Sequence, residues 1–277
     1  MKSYKRIQAL ADAVAFVSAQ FDRKIVVADI GTDHGFVAEA VSKFDFTKKV
    51  IATDISEKSL SKLENLIVKN NLKNIETKVG DGLSPINFAD VAVIAGMGGF
   101  EISKMIDFQN RVQVENQEDL KLIAEEKTQN NNIQTEKTEK NSKFSKNIQK
   151  SLSKKQKKFR NRCNIFVLQP AQNIVELRLW AMKHHYKILK DIVIKDTDRF
   201  YPILILDVSK FGFTKKSVFN LWIGRDAKEN VADFNDYVVY LDEYLSFLSN
   251  VTRKRAKKDK ILYQKIKLKK IVKKYKK

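Results

Sequence analysis

The chain has 277 residues, 43% of them hydrophobic, and a net charge of +20. That length suits one α/β domain of roughly 200 residues plus an appendage. No apolar run approaches the roughly 20 residues of a membrane span, and the amphipathic start containing Asp12 lacks a signal-peptide core. The single cysteine, Cys163, excludes an internal disulfide and a cysteine-rich metal site, fits a reducing cytosol, and reads as a small buried residue beside a strand. Residues 253–277 hold fourteen Lys or Arg against Asp259 alone, so +13 of the +20 lies there. A basic tail of that density points to a polyanion, most simply nucleic acid.

In chain order, 3–20 places Ile7, Leu10, Ala11, Val14 and Val17 at helical spacing. Ile25-Val26-Val27-Ala28-Asp29-Ile30 then reads as a strand buried on both faces, followed by Gly31-Thr32-Asp33-His34-Gly35 and a helix from Phe36. Strand, glycine turn and helix open a nucleotide-binding α/β fold, with a ligand at the carboxyl end of the strand. The turn is Asp-x-Gly-x-x-x-Gly, without the third glycine of a dinucleotide fingerprint, and is flanked by Asp29 and Asp33. Carboxylates repel pyrophosphate and suit a cationic, hydroxyl-rich ligand. S-adenosylmethionine carries a sulfonium, an ammonium, a ribose and no phosphate, so the turn favours a methyltransferase over a dehydrogenase.

A second strand, 49–54, ends in Asp54, about 20 residues past the glycine turn, where such folds hold ribose hydroxyls. Ser56 and Ser59 open a helix to about Asn70. A third strand, 75–79, ends in Gly80-Asp81-Gly82, where an acid can accept an adenine amino hydrogen bond or form a tight Asx turn. The fourth strand, 90–95, leads into Gly96-Met97-Gly98-Gly99, whose glycines allow close approach to a flat ligand. Residues 107–162 are a polar tract of Asn, Gln, Lys, Glu and Ser and read as an insertion. The fold resumes with a strand at 164–170 and a helix through Trp180. Tyr186–Ile194 and Tyr201–Val208 then form an antiparallel pair. His184 and His185 have no third ligand nearby and read as helix-end residues, leaving no metal site. From about Asp226 the pattern is helical, with two segments suggesting a hairpin or short coiled coil whose lysines bind phosphates without reading sequence.

With these motifs placed, the chain resembles the bacterial tRNA (adenine-N1)-methyltransferase family TrmK. The resemblance is carried by Lys5-Arg6-Ile7-Gln8, Ala28-Asp29-Ile30-Gly31-Thr32-Asp33-His34-Gly35, Gly80-Asp81-Gly82-Leu83, Ile94-Ala95-Gly96-Met97-Gly98-Gly99 and Leu168-Gln169-Pro170. Two departures stand out. Ala171 and Gln172 separate Gln169-Pro170 from Asn173, and Asp54 stands where the family commonly has Glu.

The resemblance implies a Rossmann-like class I methyltransferase domain, α/β with a seven-stranded mostly parallel sheet, over 1–225, and a basic helical coiled-coil domain over 226–277. It implies S-adenosyl-L-methionine as cofactor and methylation of N1 of the adenine at position 22 of tRNA. Asp29, Gly31, Asp54, Ile55, Asp81, Gly82, Ala95, Gly96 and Met97 would hold the cofactor. Gly98, Gly99, Gln169, Pro170 and Asn173 would line the base pocket, and Asp33 with His34 would act on the base. Lys5, Arg6, Arg253, Lys254, Arg255, Lys257 and Lys258 would meet the tRNA. A cytoplasmic monomer is expected. The competing expectations are a methyltransferase of another RNA or a small amine, and a non-catalytic RNA-binding protein that keeps the fold.

Overall fold

The computed structural model describes residues 4–109, 163–229, 231–251 and, beyond these, 263, 266, 268 and 270. Its strands are β1 (Ile25–Ile30), β2 (Thr47–Asp54), β3 (Ile75–Val79), β4 (Val91–Ala95), β5 (Ile165–Gln169), β6 (Tyr186–Asp196) and β7 (Arg199–Phe211). They form one seven-stranded sheet in the order β3-β2-β1-β4-β5-β7-β6. Neighbours from β3 through β5 run parallel, while β7 is antiparallel to β5 and to β6. This is the Rossmann-like methyltransferase architecture. The hydrophobic runs of β1, β4 and β5 follow from their central place, since helices cover both faces and all their residues but Val26 and Ala95 are buried.

The helices are α1 (Tyr4–Ser18), α2 (Phe36–Ser42), α3 (Glu57–Asn70), α4 (99–109), α5 (Ile174–Lys183) and α6 (Val231–Val251). One face of the sheet packs Leu10, Val14 and Val17 of α1 and Val41 of α2 against Val27, Val93 and Val167. The other packs Ile102 and Ile106 of α4 and Leu177 of α5 against Ile94, Phe166 and Leu168. Ser56 caps α3 by accepting from the Ser59 N–H, and Asn71 ends it in the left-handed conformation with φ 52°.

Two boundaries differ from the sequence reading, for physical reasons. The composition change at 107 falls inside the last turn of α4. Asp107 accepts from the Trp180 indole N–H at 3.1 Å, and the buried Gln109 amide donates to the Cys163 carbonyl at 3.0 Å. These polar residues are tied into the fold, and composition alone cannot show that. The antiparallel pair is also longer than its apolar stretches, because β6 and β7 meet at a tight turn through Thr197, with φ 57°. The remainder of the insertion, 110–162, lies outside the described residues.

The chain leaves β7 through a π-helical turn (Phe219–Ile223) and a 3-10 turn (Ala227–Glu229) before α6. Phe234, Tyr237, Val238, Leu241 and Leu245 of α6 are buried with Trp222, Ile223 and Val193, and Leu268 is fully buried in the same cluster. Most of the second helical segment expected at 256–275 lies outside the described residues. Beneath the cluster lies a buried ion pair. Arg178 of α5 donates to both carboxylate oxygens of Asp191 on β6 at 2.8–3.1 Å, with neither side chain exposed. Arg178 also donates to the carbonyls of Leu221, Trp222 and Ile223. Asp191 Oδ2 accepts from the Arg225 N–H at 3.2 Å. Removing one partner of such a pair leaves a buried charge without compensation, so Asp191→Asn should lower stability by about 3–5 kcal/mol. Chemical denaturation midpoints would measure it.

Candidate active site

The parallel strands β1 to β4 open at their carboxyl ends onto one cavity of about 450 Å³. It lies where the strand order reverses between β1 and β4, the position at which open α/β sheets bind ligands. All nine residues expected to hold the cofactor line it: Asp29, Gly31, Asp54, Ile55, Asp81, Gly82, Ala95, Gly96 and Met97. Asp33 and His34 line it too.

The turn after β1 continues the sheet ladder, since Gly31 and Thr32 N–H groups both donate to the Thr53 carbonyl at 2.8 and 3.0 Å. Gly31 has φ 69°, and a Cβ there would come within 2.5 Å of the Met97 side chain. The left-handed φ is what favours glycine here, since the Met97 contact is with the movable tip of a flexible side chain. Asp54 accepts from the Asp33 N–H at 3.2 Å and from the Ser56 N–H at 2.8 Å, so it pins the turn as well as facing the cavity. Asp81 and Ile55 are exposed at the cavity edge, Ile55 at 75%.

Asp33 adopts a left-handed φ of 42°. Its carboxylate is exposed and bonded to His34 Nδ1 at 2.7 Å, and Lys62 Nζ lies 3.6 Å from its other oxygen. The His34 ring stacks on Phe36 at 5.6 Å between centroids. An exposed, oriented carboxylate at the mouth of a cavity can meet positive charge that develops on a bound partner.

The base-pocket residues are placed differently. Gly98 and Gly99 are zipped to the loop after β5: Gly99 N–H donates to the Gln172 carbonyl at 2.9 Å and Ala171 N–H to the Met97 carbonyl at 2.8 Å. A Cβ on Gly99 would strike the Asn173 carbonyl oxygen, so that glycine serves loop packing. Gln169 and Pro170 are buried, and Asn173 is the left-handed N-cap of α5 with φ 63°. None of the five lines the cavity. Among the cations, Lys5 is paired with Asp233 at 3.0 Å. Arg6 lines the cavity instead of standing on the outer face. Arg253, Lys254, Arg255, Lys257 and Lys258 lie outside the described residues. The sequence reading missed Thr32, whose hydroxyl donates to Asp29 at 2.6 Å, and the cavity place of Arg6. An amphipathic α1 with Arg6 beside Ile7 was the available signal for the second. Among the described residues, no three of His, Cys, Asp or Glu are grouped to hold a metal ion.

Asp29 is 4% exposed, and burial pushes its carboxyl up to about 6 against the opposing bonds from Thr32 and the Ala38 backbone. Its pKa is higher in the folded chain than the roughly 3.9 of an unfolded one. The associated stability is thus fully present below about pH 4 and is lost as pH rises through about 6, on the order of 2–3 kcal/mol. Asp29→Asn should flatten this limb of the stability-against-pH curve, read from denaturant midpoints between about pH 4 and 7.

The cavity residues also fit S-adenosylmethionine chemically. Acids placed for hydroxyl, amino and cationic groups surround glycine backbone that a flat base can touch, and no phosphate cradle is present among the described lining residues. Comparison with known proteins agrees. A methyltransferase-domain family model matches residues 5–145, and the TrmK model, tRNA (adenine(22)-N(1))-methyltransferase, matches residues 144–274. The MG248 protein of Mycoplasma genitalium is 28% identical over 220 residues, spanning 77% of this chain and 75% of that one. The tRNA (adenine(22)-N(1))-methyltransferase of Bacillus subtilis is 22% identical over 210 residues, spanning 75% and 66%. Among solved structures, TrmK of M. capricolum with S-adenosylhomocysteine superposes at a TM-score of 0.63 and 18% identity, covering 97% of this chain and 96% of that one. The Bacillus subtilis m1A22 enzyme TrmK superposes at 0.63 and 19% identity, covering 97% of each. The chain belongs to the methyltransferase-domain family, and its second half matches the TrmK model.

Proposed function

We propose that the chain transfers a methyl group from S-adenosyl-L-methionine to N1 of the adenine at position 22 of tRNA. The observation that carries this reading is the gathering of Asp29, Asp54, Asp81 and the glycines of three strand ends around one cavity. S-adenosylmethionine, when bound, supplies a methyl group on a positively charged sulfur. Asp54 would receive ribose hydroxyls, Asp81 the adenine amino group, and the exposed side chain of Ile55 an apolar base face. Asp29, ionised, would face the cationic end.

N1 of neutral adenine carries its own lone pair, so no strong base is needed. Orientation and electrostatics supply most of the acceleration. Methylated at N1, the base is a cation, and the Asp33 carboxylate is the group at the mouth that would stabilise the charge as it forms. His34 would hold Asp33 through its Nδ1 contact and its stack on Phe36. N1 lies on the Watson–Crick edge, so the target base must be unpaired or flipped out to reach the cavity. The loops at 96–99 and 169–173 would shape its approach, with Gly98, Gly99, Gln169, Pro170 and Asn173 acting through the backbone they lock together.

The helical region from 226 onward, with the basic run 253–277, would hold tRNA phosphates, a sequence-independent grip that weakens with salt. No helix among the described residues is long and apolar enough to cross a membrane. We read the chain as a cytoplasmic monomer that needs no metal.

Labelled S-adenosylmethionine and unmodified tRNA should yield N1-methyladenosine by mass spectrometry, and the product should vanish when adenine 22 is replaced. Methylation of another RNA or of a small amine in place of tRNA would move the substrate. Asp33→Ala should lower turnover at least about 100-fold while S-adenosylhomocysteine affinity holds. Retained turnover would remove Asp33 from the mechanism.

A further inference from the structure

The lysines of α3 are sorted to one side of the helix. Lys58, Lys62 and Lys69, with Asn65 among them, fall at i, i+4, i+11 and i+7, a single stripe, and all four are exposed. The buried Leu60 and Leu63 lie on the other face. The acids of the helix keep off the stripe, and Glu64 turns away to accept from the Thr77 hydroxyl at 2.9 Å. Over about 16 Å of helix the stripe thus carries three positive charges and no negative one. Among the described residues, Lys62 alone of the three has an ion-pair partner. Lys58 stands in the first turn, where the helix dipole disfavours a cation, so helix stability does not account for it.

The stripe begins at the cavity. Lys62 Nζ lies 3.6 Å from a carboxylate oxygen of Asp33, and α3 follows directly on Asp54 and Ile55, which line the cavity wall. α3 packs on β2 and β3 at one edge of the sheet, whereas α6 packs on β6 at the other, with the cavity between them. The basic run 253–277 follows α6 in the chain. RNA held at that edge alone would be free to swing about its grip. A second grip across the mouth fixes one base over the reacting centre. We propose that Lys58, Lys62 and Lys69 bind RNA phosphates on the side of the mouth away from the C-terminal region, so that the substrate spans the cavity. This rests on the chain's acting on tRNA. The Lys62–Asp33 pair is half-exposed on both sides and weakly held, so a phosphate can take Lys62 and leave Asp33 its full charge for the base.

The test compares two double variants of the full chain that lose the same charge. Lys58→Gln with Lys69→Gln empties the ends of the stripe. Lys183→Gln with Lys187→Gln removes two exposed lysines at the opposite end of the sheet, where Lys187 pairs with Asp207 and Asp207 with the first residue of β5. Binding of unmodified tRNA is measured by filter retention over a series of salt concentrations. The α3 variant should bind about 10-fold more weakly, and its plot of log affinity against log salt should be shallower by about 1.5. The other variant should change affinity less than about twofold. S-adenosylhomocysteine affinity, read by calorimetry, should hold in both, which reports an intact fold. Equal losses of tRNA affinity in the two variants would reduce the effect to net charge and overturn the proposal. An unchanged affinity and salt slope in the α3 variant would overturn it too. If the unsubstituted chain bound no tRNA, the tRNA reading itself would fall, and this proposal with it.

Discussion

The pairing of β1 with β2 on one side and β4 on the other is the constraint on which the site depends. Register is set by parallel hydrogen bonds along Val27–Ile30, which aligns the carboxyl ends of the three strands. The ladder does not stop at the strand end: Gly31 and Thr32 still donate to Thr53. Asp29, Asp33, Asp54 and the loop at 96–97 thus come together although they are spread over nearly 70 residues of chain. A change that slipped this register would disperse the site without touching any residue of it.

Electrostatics then decides what such a site can accept. Asp29 is buried where its charged form is disfavoured, and Asp54 adds repulsion that raises it further. The field of Arg6 acts in the opposite direction on Asp29. Acids and one arginine sharing a cavity suit a ligand that carries both signs of charge in a fixed order. A nucleotide, with charge concentrated in its phosphates, would find mostly repulsion.

The buried pair Arg178–Asp191 joins the two functional regions. It connects α5, which follows the loop locked to Gly98 and Gly99, with β6 and with the carbonyls of the π-helical turn leading toward α6. Gly224 has φ 107°, and a Cβ there would lie 2.6 Å from Arg178 and 2.8 Å from Asp191. The pair leaves no room for a side chain. Lys5 and Lys195 add a second tie, both donating to Asp233 at the start of α6. These ties set α6 on the same body as the cavity.

The sequence by itself determined the strands, their order of appearance and the acids at their ends. Buried parallel strands are apolar throughout, and the glycines and acids that follow Ile30, Thr53, Val79 and Ala95 sit at strand termini by local chemistry alone. That was enough to name nine residues that line the cavity, though not Thr32 or Arg6. Only the tertiary structure decided the rest, because the remaining contacts are distant in the chain. Arg6 faces the cavity because α1 docks on a hairpin some 190 residues later, and no local pattern encodes that. Lys5, its neighbour, turns the other way to Asp233. Asp107 and Gln109 look like the start of a polar tract, yet α4 continues through them, since their partners Trp180 and Cys163 arrive from the far side of it. Hydrophobic periodicity records which face of an element is buried. Which polar side chains find partners depends on neighbours that folding alone brings into reach.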